Sequence, residues 1–235
     1  MQNIGAAFSE ALAMILSADP DFLEIVFLSL RMTFTAVILA CIIGMPIGAM
    51  LAVFRFPGRG LLTILVNAMM GMPPVVLGLI VYLMLSRSGP LGVLGLLYTL
   101  SAMIIAQTLL VIPIIASLTR QVIEDLHGEY DEYLRSMGAG RIDTIGTLLW
   151  DARYSLVTSA LAGLGRALGE VGAVMIVGGN INHVTRVMTT AIALETAKGE
   201  LALALGLGVV LVSLSILTTA ALTSLKATAE RMAYA

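Results

Sequence analysis

Long apolar runs with few charged residues recur along the whole chain, and they restrict the possible folds more than any other feature. A helix needs about 20 apolar residues to cross the hydrocarbon of a bilayer, so runs of this length are typical of membrane spans. The composition agrees, because 59% of the 235 residues are hydrophobic and 12% are charged, whereas soluble domains have about 25% charged residues. The sequence therefore predicts an all-α integral membrane protein in which residues 1–235 form a single domain of packed helices.

Five segments have the length and hydropathy of a membrane span. Residues 25–119 contain the first three and residues 154–225 the last two, at Ile25–Phe54, Leu61–Leu85, Leu91–Thr119, Tyr154–Val177 and Leu201–Leu225. Residues 1–24 are predicted to form a surface helix and a linker, since Ile4–Leu16 fits a short amphipathic helix and Asp19-Pro20 disfavours its continuation. This segment lacks Lys and Arg, so a cleaved signal peptide, which opens with a positive region, is not expected.

Basic residues are distributed unevenly between the two sides of the predicted membrane. Eight fall on one side and three on the other, namely Arg55, Arg59, Arg120, Arg135, Arg141, Arg153, Lys226 and Arg231 against Arg87, Arg186 and Lys198. Cytoplasmic loops are enriched in Lys and Arg, so the larger group is placed in the cytoplasm. With an odd number of spans, the N-terminus is then predicted outside and the C-terminus inside.

Two patterns within the spans predict how the helices bend and pack. Met72-Pro73-Pro74 interrupts the second span, and two adjacent prolines remove two backbone donors and force a bend. Such a break is either a kink facing lipid or part of a pore lining, and the polar Asn67 before it makes a pore-lining role possible. Small residues four apart, which allow helix backbones to approach closely, occur at Gly44 with Gly48 and at Gly165 with Gly169.

The long polar stretch at residues 120–153 has the pattern of a structured element rather than a linker. Its apolar residues recur at spacings near three and four, which predicts an amphipathic helix, at Leu126, Tyr130, Tyr133, Leu134 and Met137. Gly138 and Gly140 are predicted to end that helix. Its apolar face is expected to contact a partner outside the membrane, because the excess of acidic residues disfavours binding to an anionic leaflet.

The run Glu132-Tyr133-Leu134-Arg135-Ser136-Met137-Gly138-Ala139 resembles the Glu-Ala-Ala-x-x-x-Gly loop of ATP-binding-cassette (ABC) importer permeases. The Glu-to-Gly spacing matches, whereas Tyr133 and Leu134 replace the two alanines. The resemblance implies a type I ABC importer permease fold in a prokaryotic inner membrane. It also implies a cytoplasmic coupling helix that docks on an ATPase subunit through Glu132, Tyr133, Leu134, Gly138 and Ala139. The implied partners are a second copy of the chain, two ATPase subunits and an extracellular oxyanion-binding protein.

Motifs for other kinds of site are missing from the sequence. There is no Gly-x-x-x-x-Gly-Lys-Ser/Thr segment, so ATP is expected on the partner subunit and no cofactor is expected in this chain. His127 and His183 are predicted on opposite sides of the membrane and so share neither a metal nor an enzyme site. Cys41 is the only cysteine, which excludes an internal disulfide. The net charge of −2 gives no indication of nucleic-acid binding.

The fourth span contains the most distinctive run, Arg166-Ala167-Leu168-Gly169-Glu170-Val171-Gly172-Ala173 followed by Val177-Gly178-Gly179-Asn180-Ile181. It resembles the molybdate, sulfate and tungstate permeases, and its continuation from Thr185 to Gly199 is most similar to the tungstate branch. The resemblance implies import of an oxyanion, with tungstate expected first and molybdate or sulfate as alternatives. An ion-coupled secondary transporter is a further alternative, although such folds usually show paired repeats and several intramembrane carboxylates.

Five polar residues are candidates for the translocation path. Arg166 and Glu170 are four apart and are therefore predicted on one helix face, where each needs a partner or an aqueous path. They form either a structural ion pair or a site at which Arg166 helps the anion to cross while Glu170 prevents tight binding. Asn180 is placed at the outer mouth or in a simple turn, and Gln107 and Asn67 are further candidates for the lining.

Overall fold

The computed structural model describes residues 9, 12–13, 16–17 and 19–233, and in this part the secondary structure is helical, without strands. The predicted surface helix Ile4–Leu16 lies largely outside the described residues. The helices are α1 (Pro20–Val53), α2 (Arg59–Met70), α3 (Pro74–Leu85), α4 (Leu100–Ser136), α5 (Arg141–Asp151), α6 (Arg153–Leu168), α7 (Gly172–Gly178), α8 (Met188–Lys198) and α9 (Leu201–Ala233), with a 3-10 turn at Gly92–Leu94.

The predicted all-α membrane fold is confirmed by the lengths and hydropathies of these helices. Three of them, α1, α4 and α9, are each long and apolar enough to cross a bilayer. The bent pairs α2 with α3 and α6 with α7 bring the number of candidate spans to five when each pair counts as one. The bend predicted at Met72-Pro73-Pro74 is present, since α2 ends at Met70 and Pro74 opens α3.

Helix boundaries differ most from the prediction at the third span. The third span does not begin at Leu91, because the chain first forms a 3-10 turn and α4 starts only at Leu100. From there α4 continues without interruption to Ser136. The amphipathic segment predicted as a separate cytoplasmic helix is therefore the last part of α4. At the N-terminal end of α1, the side chain of Asp19 accepts hydrogen bonds from the N–H groups of Asp21 and Phe22 and so caps the helix.

The chain forms two compact units. One consists of the residues up to Ala36, Pro73–Gln107 and Ala167–Thr218, and the other of Val37–Met72, Thr108–Arg166 and the residues from Thr219. In the first unit, the apolar contacts of α1, α8 and α9 centre on Phe22, Met188 and Leu207. A second cluster contains Met32, Met103, Val174 and Val187. The domain prediction of a single permease domain over 1–235 is not tested by this division.

The second unit is built on a close approach of α1 to α4. A Cβ at Gly48 would overlap the carbonyl oxygen of Ala116 and lie 2.9 Å from Cβ of Thr119, and one at Gly44 would lie 3.1 Å from the carbonyl oxygen of Ile112. The packing role predicted for these two glycines is thus confirmed. In α6, a Cβ added at Gly165 would have no neighbour within 4 Å in this chain, so the packing role predicted for Gly165 stays a prediction. The glycine that contacts α4 is Gly163, whose Cβ would lie 2.8 Å from Val111.

Candidate translocation and coupling sites

The fourth span is broken at the run that the sequence singled out. Helix α6 ends at Leu168 and α7 begins at Gly172, so Glu170 lies between two helices. The prediction that Arg166 and Glu170 share one helix face was therefore wrong, because the helical spacing on which it depended stops two residues too early. Glu170 is nevertheless buried, with 5% of its surface exposed.

Two buried side chains satisfy backbone groups that this break leaves open. The Nε2 group of Gln107 donates to the carbonyl of Ala167 at 2.6 Å, at the end of α6. The Oε1 atom of Glu170 accepts from the N–H of Ala173 at 3.0 Å, at the start of α7. Within a membrane protein, interrupted helices persist where the freed N–H and C=O groups find such partners. Gln107 and Glu170 thus hold the break in place.

The break in the second span lies beside the break in the fourth. Pro73 precedes α3 in an extended conformation and Pro74 occupies its first turn, where a missing N–H costs nothing. A Cβ added at Gly172 would lie 2.8 Å from Val75, and one at Gly78 would lie 2.7 Å from the Cα of Ala173. Helices α3 and α7 therefore start side by side and pack backbone against backbone.

Arg166 lies one residue before the carbonyl that Gln107 binds, in the last turn of α6. It has no salt-bridge partner among the described residues, and its Nε is buried without a hydrogen-bond acceptor. Such a group is costly in an apolar span unless an anion or water meets it. Asn67 on α2 is exposed, and its Oδ1 accepts a hydrogen bond of 2.7 Å from the hydroxyl of Ser117.

Asn180 holds the loop after α7 against the start of α8. Its backbone has a φ of 50°, in the left-handed region that asparagine tolerates. Its side-chain Oδ1 accepts from the hydroxyl of Thr190 at 2.9 Å, and its Nδ2 donates to the carbonyl of the same residue at 3.3 Å. Of the two roles considered for Asn180, this geometry favours the turn.

Two clusters of charged residues near this loop were missed by the sequence reasoning. Glu195 of α8 is buried at 5% exposure and accepts from the ammonium of Lys198 at 2.9 Å, with the guanidinium of Arg186 at 3.9 Å. The spacing of three between Glu195 and Lys198 on a helix was a signal for this pair. In the other cluster, Nδ1 of His183 lies 2.7 Å from a carboxylate oxygen of Glu24. This hydrogen bond, followed by the charge of the same carboxylate, raises the pKa of His183.

The segment predicted for coupling lies at the end of α4, and Gly138 is the residue that ends this helix. Gly138 has a φ of 73°. Its N–H donates to the carbonyl of Arg135, and the N–H of Ala139 donates to that of Leu134, both at 3.0 Å. This pair of bonds is the Schellman motif, which commonly requires glycine at its left-handed position. The predicted helix end at Gly138 is confirmed.

The five residues predicted for coupling divide into an inner and an outer group. Leu134 is 6% exposed and packs with Ala139 into a cluster that includes Ile123 and Leu148. Glu132, Tyr133 and Gly138 are exposed. The apolar surface around them extends through Met137 and through Ile142, the second residue of α5, which is 79% exposed. The apolar residues predicted for this face therefore divide between the buried core and the exposed surface.

Comparison with known proteins gives the family of this chain. Residues 44–229 match the model described as the inner membrane component of binding-protein-dependent transport systems. The chain belongs to this family. It is a membrane permease subunit of an ABC importer, as the resemblance of the coupling segment implied.

The permease is similar to several curated relatives over most of its length. It is 37% identical, over 96% of its own chain and 99% of the relative, to the tungstate uptake system permease protein of Peptoclostridium acidaminophilum. Identity to the corresponding protein of Campylobacter jejuni is 34%, over 87% of this chain and 86% of the relative. The sulfate transport system permease protein CysW of Escherichia coli is 29% identical over 76% of this chain and 65% of the relative.

Proposed function

We propose that this permease forms the membrane path of a tungstate importer. The observation that carries the proposal is the 37% identity over 96% of the chain to a tungstate uptake permease, compared with 27–29% to sulfate permeases. Molybdate and sulfate are the alternative substrates, because each is also a tetrahedral dianion that the same positive group would attract.

The proposed assembly contains two copies of this chain, two ATPase subunits that bind the ATP, and an extracellular binding protein that delivers the anion. The family description names dependence on a binding protein. A second copy is supported by α2, which buries none of its residues within one chain and exposes large apolar side chains such as Leu61 and Ile64. We place the assembly in the inner membrane, with the N-terminus outside and the C-terminus in the cytoplasm.

We propose that coupling to the ATPase uses the end of α4. Glu132, Tyr133 and Gly138 lie on the exposed surface there and are available to a partner. Leu134 and Ala139 have a structural role instead, because they pack into the core of the second unit beneath this surface. A force on the exposed residues is then transmitted to α4, which is continuous from the coupling region to Leu100.

Arg166 is the residue that we propose meets the anion, since its guanidinium lacks an acidic partner among the described residues and its Nε lacks an acceptor. A cation in an apolar span offsets the cost of removing water from a dianion. Glu170 and Gln107 support the break beside it, and Asn67 offers an exposed amide on α2. Asn180 is proposed to shape the outer mouth only through the loop that it holds.

The decisive experiment is uptake into proteoliposomes that contain the permease, its ATPase and its binding protein. Radiolabelled tungstate, molybdate and sulfate are compared with and without internal ATP. ATP-dependent uptake of tungstate at concentrations that leave sulfate outside is the expected result. Equal uptake of all three anions would remove the assignment to tungstate, and uptake driven by an ion gradient without ATP would favour the secondary transporter.

The proposed orientation is tested by labelling single cysteines in a Cys41-free background in intact cells. A cysteine at position 183 should react with a membrane-impermeant maleimide, and one at position 135 should react only after lysis. The reverse pattern would invert the topology without affecting the family assignment.

A further inference from the structure

A cavity of about 340 Å³ in the second unit is lined by an unusual number of charged groups. It lies where α1 ends, beside the last turns of α4 and the first residue of α5. Its charged and titratable lining residues are Arg55, His127, Asp131, Arg135 and Arg141. Arg55 follows the apolar helix α1 by two residues, so the cavity lies at the level where the span meets water.

The cavity carries an excess of positive charge, although acidic residues are in excess over the stretch 120–153 as a whole. Asp131 is its one carboxylate, and it accepts a hydrogen bond of 2.9 Å from Nε of Arg135, so these two charges offset each other. Arg55 and Arg141 have no acidic partner among the described residues, and both side chains are exposed. Two guanidinium groups therefore remain to bind an anion, and guanidinium donors match the geometry of phosphate oxygens.

An apolar groove of about 340 Å³ adjoins this basic cavity. It is lined by Ile47, Met50, Leu51, Phe54, Phe56 and Leu62. The guanidinium of Arg141, which lines the basic cavity, lies 5.8 Å from the ring centre of Phe54, which lines the groove. Phe54 and Arg55 are also consecutive in sequence. The two spaces therefore lie next to each other, with cationic groups lining one and only apolar side chains lining the other.

We propose that the pair forms a binding site for an anionic phospholipid, whose phosphate binds Arg55 and Arg141 and whose acyl chain occupies the apolar groove. A free oxyanion would use the basic cavity and leave the groove unfilled, whereas a zwitterionic lipid would fill the groove but place its own cation beside the guanidinium groups. An anionic lipid matches both halves. Basic pockets between membrane helices are known to bind such head groups.

The test is native mass spectrometry of the purified full-length chain with equal amounts of phosphatidylglycerol and phosphatidylcholine of the same acyl chains. Wild type should retain phosphatidylglycerol with a clear preference. Each arginine near a membrane surface changes binding of anionic lipid roughly fivefold, so Arg55→Gln with Arg141→Gln together should weaken it about 30-fold. Arg153→Gln is the matched control, because it removes one nearby positive charge outside both spaces.

Equal retention of the two lipids by wild type would overturn the proposal, as would an equal loss in the Arg153→Gln control. Displacement of phosphatidylglycerol by millimolar inorganic phosphate would show that the basic cavity recognises a free anion and that the groove contributes nothing. If the double variant does not fold, Arg55→Gln alone decides, because its exposed side chain has no partner among the described residues. A preference for phosphatidylglycerol that falls about fivefold in that variant supports the site.

Discussion

Replacing Gly138 by alanine tests whether the left-handed end of α4 is required for stability and for coupling. There is free space for the new methyl group, since no atom lies within 4 Å of a Cβ at this position. The cost therefore comes from the backbone alone, whose φ is 73°. An L-residue in the left-handed region is disfavoured by about 1–2 kcal/mol, and that is the expected loss in free energy of unfolding.

Gly128 provides a matched control in the same helix. It also has no atom within 4 Å of an added Cβ, but it lies within α4 and is absent from the positive-φ residues. Alanine in a helix interior is favoured over glycine by about 0.5–1 kcal/mol. The same substitution should therefore destabilise the protein at position 138 and stabilise it at position 128. Gly138→Asn should fall close to wild type, because asparagine tolerates this conformation.

The assay is equilibrium unfolding of the purified chain in mixed detergent and dodecyl sulfate, followed by the helical circular dichroism signal. A shift of the same sign and size in both alanine variants would refute the reasoning. ATP-driven uptake per assembled complex then tests coupling separately. We expect Gly138→Ala to transport less per ATP hydrolysed than Gly128→Ala, and Gly138→Pro, which also removes the donor to Arg135, to be the most uncoupled.

Three further outcomes are expected. Gly48→Ala should destabilise the chain by about 1–3 kcal/mol in the same assay, because its Cβ would overlap a carbonyl oxygen of α4, while Gly44→Ala, with a nearest contact of 3.1 Å, should cost less. Arg166→Gln should lower tungstate uptake at normal assembly, with Arg166→Lys between it and wild type. The contact between His183 and Glu24 should contribute stability fully below pH about 6.5 and lose it as the pH rises through the raised pKa of His183, so the gap in melting temperature to His183→Gln should close on going to alkaline pH.

The presence of the spans and the end of α4 could be predicted because each depends on local information. An apolar run of sufficient length needs a helix in lipid whatever surrounds it. The left-handed position that ends α4 favours a glycine, and Gly138 occupies it. The proline pair at 73 and 74 likewise breaks a helix by its own chemistry.

The break in the fourth span could not be predicted, since no proline occurs between Arg166 and Gly172. It is stabilised by a side chain distant in sequence, as Gln107 lies 60 residues before the carbonyl of Ala167 that it binds. The continuity of α4 was missed for a related reason. Hydropathy changes where the membrane is expected to end, near Thr119, but the helix does not have to end there, because no proline occurs between Thr119 and Gly138.

The breaks in the second and fourth spans lie at the starts of α3 and α7, which pack against each other. Backbone N–H and C=O groups that a break frees need partners within an apolar bundle. Here the first turn of α3 meets the first turn of α7, and Val75 and Gly172 are in contact range. In the fourth span, Glu170 accepts a hydrogen bond from the start of α7, and Gln107 donates one to the end of α6. Both side chains are already engaged with the backbone. In the proposed function the anion meets Arg166 instead, so replacing Arg166 should change transport rather than stability.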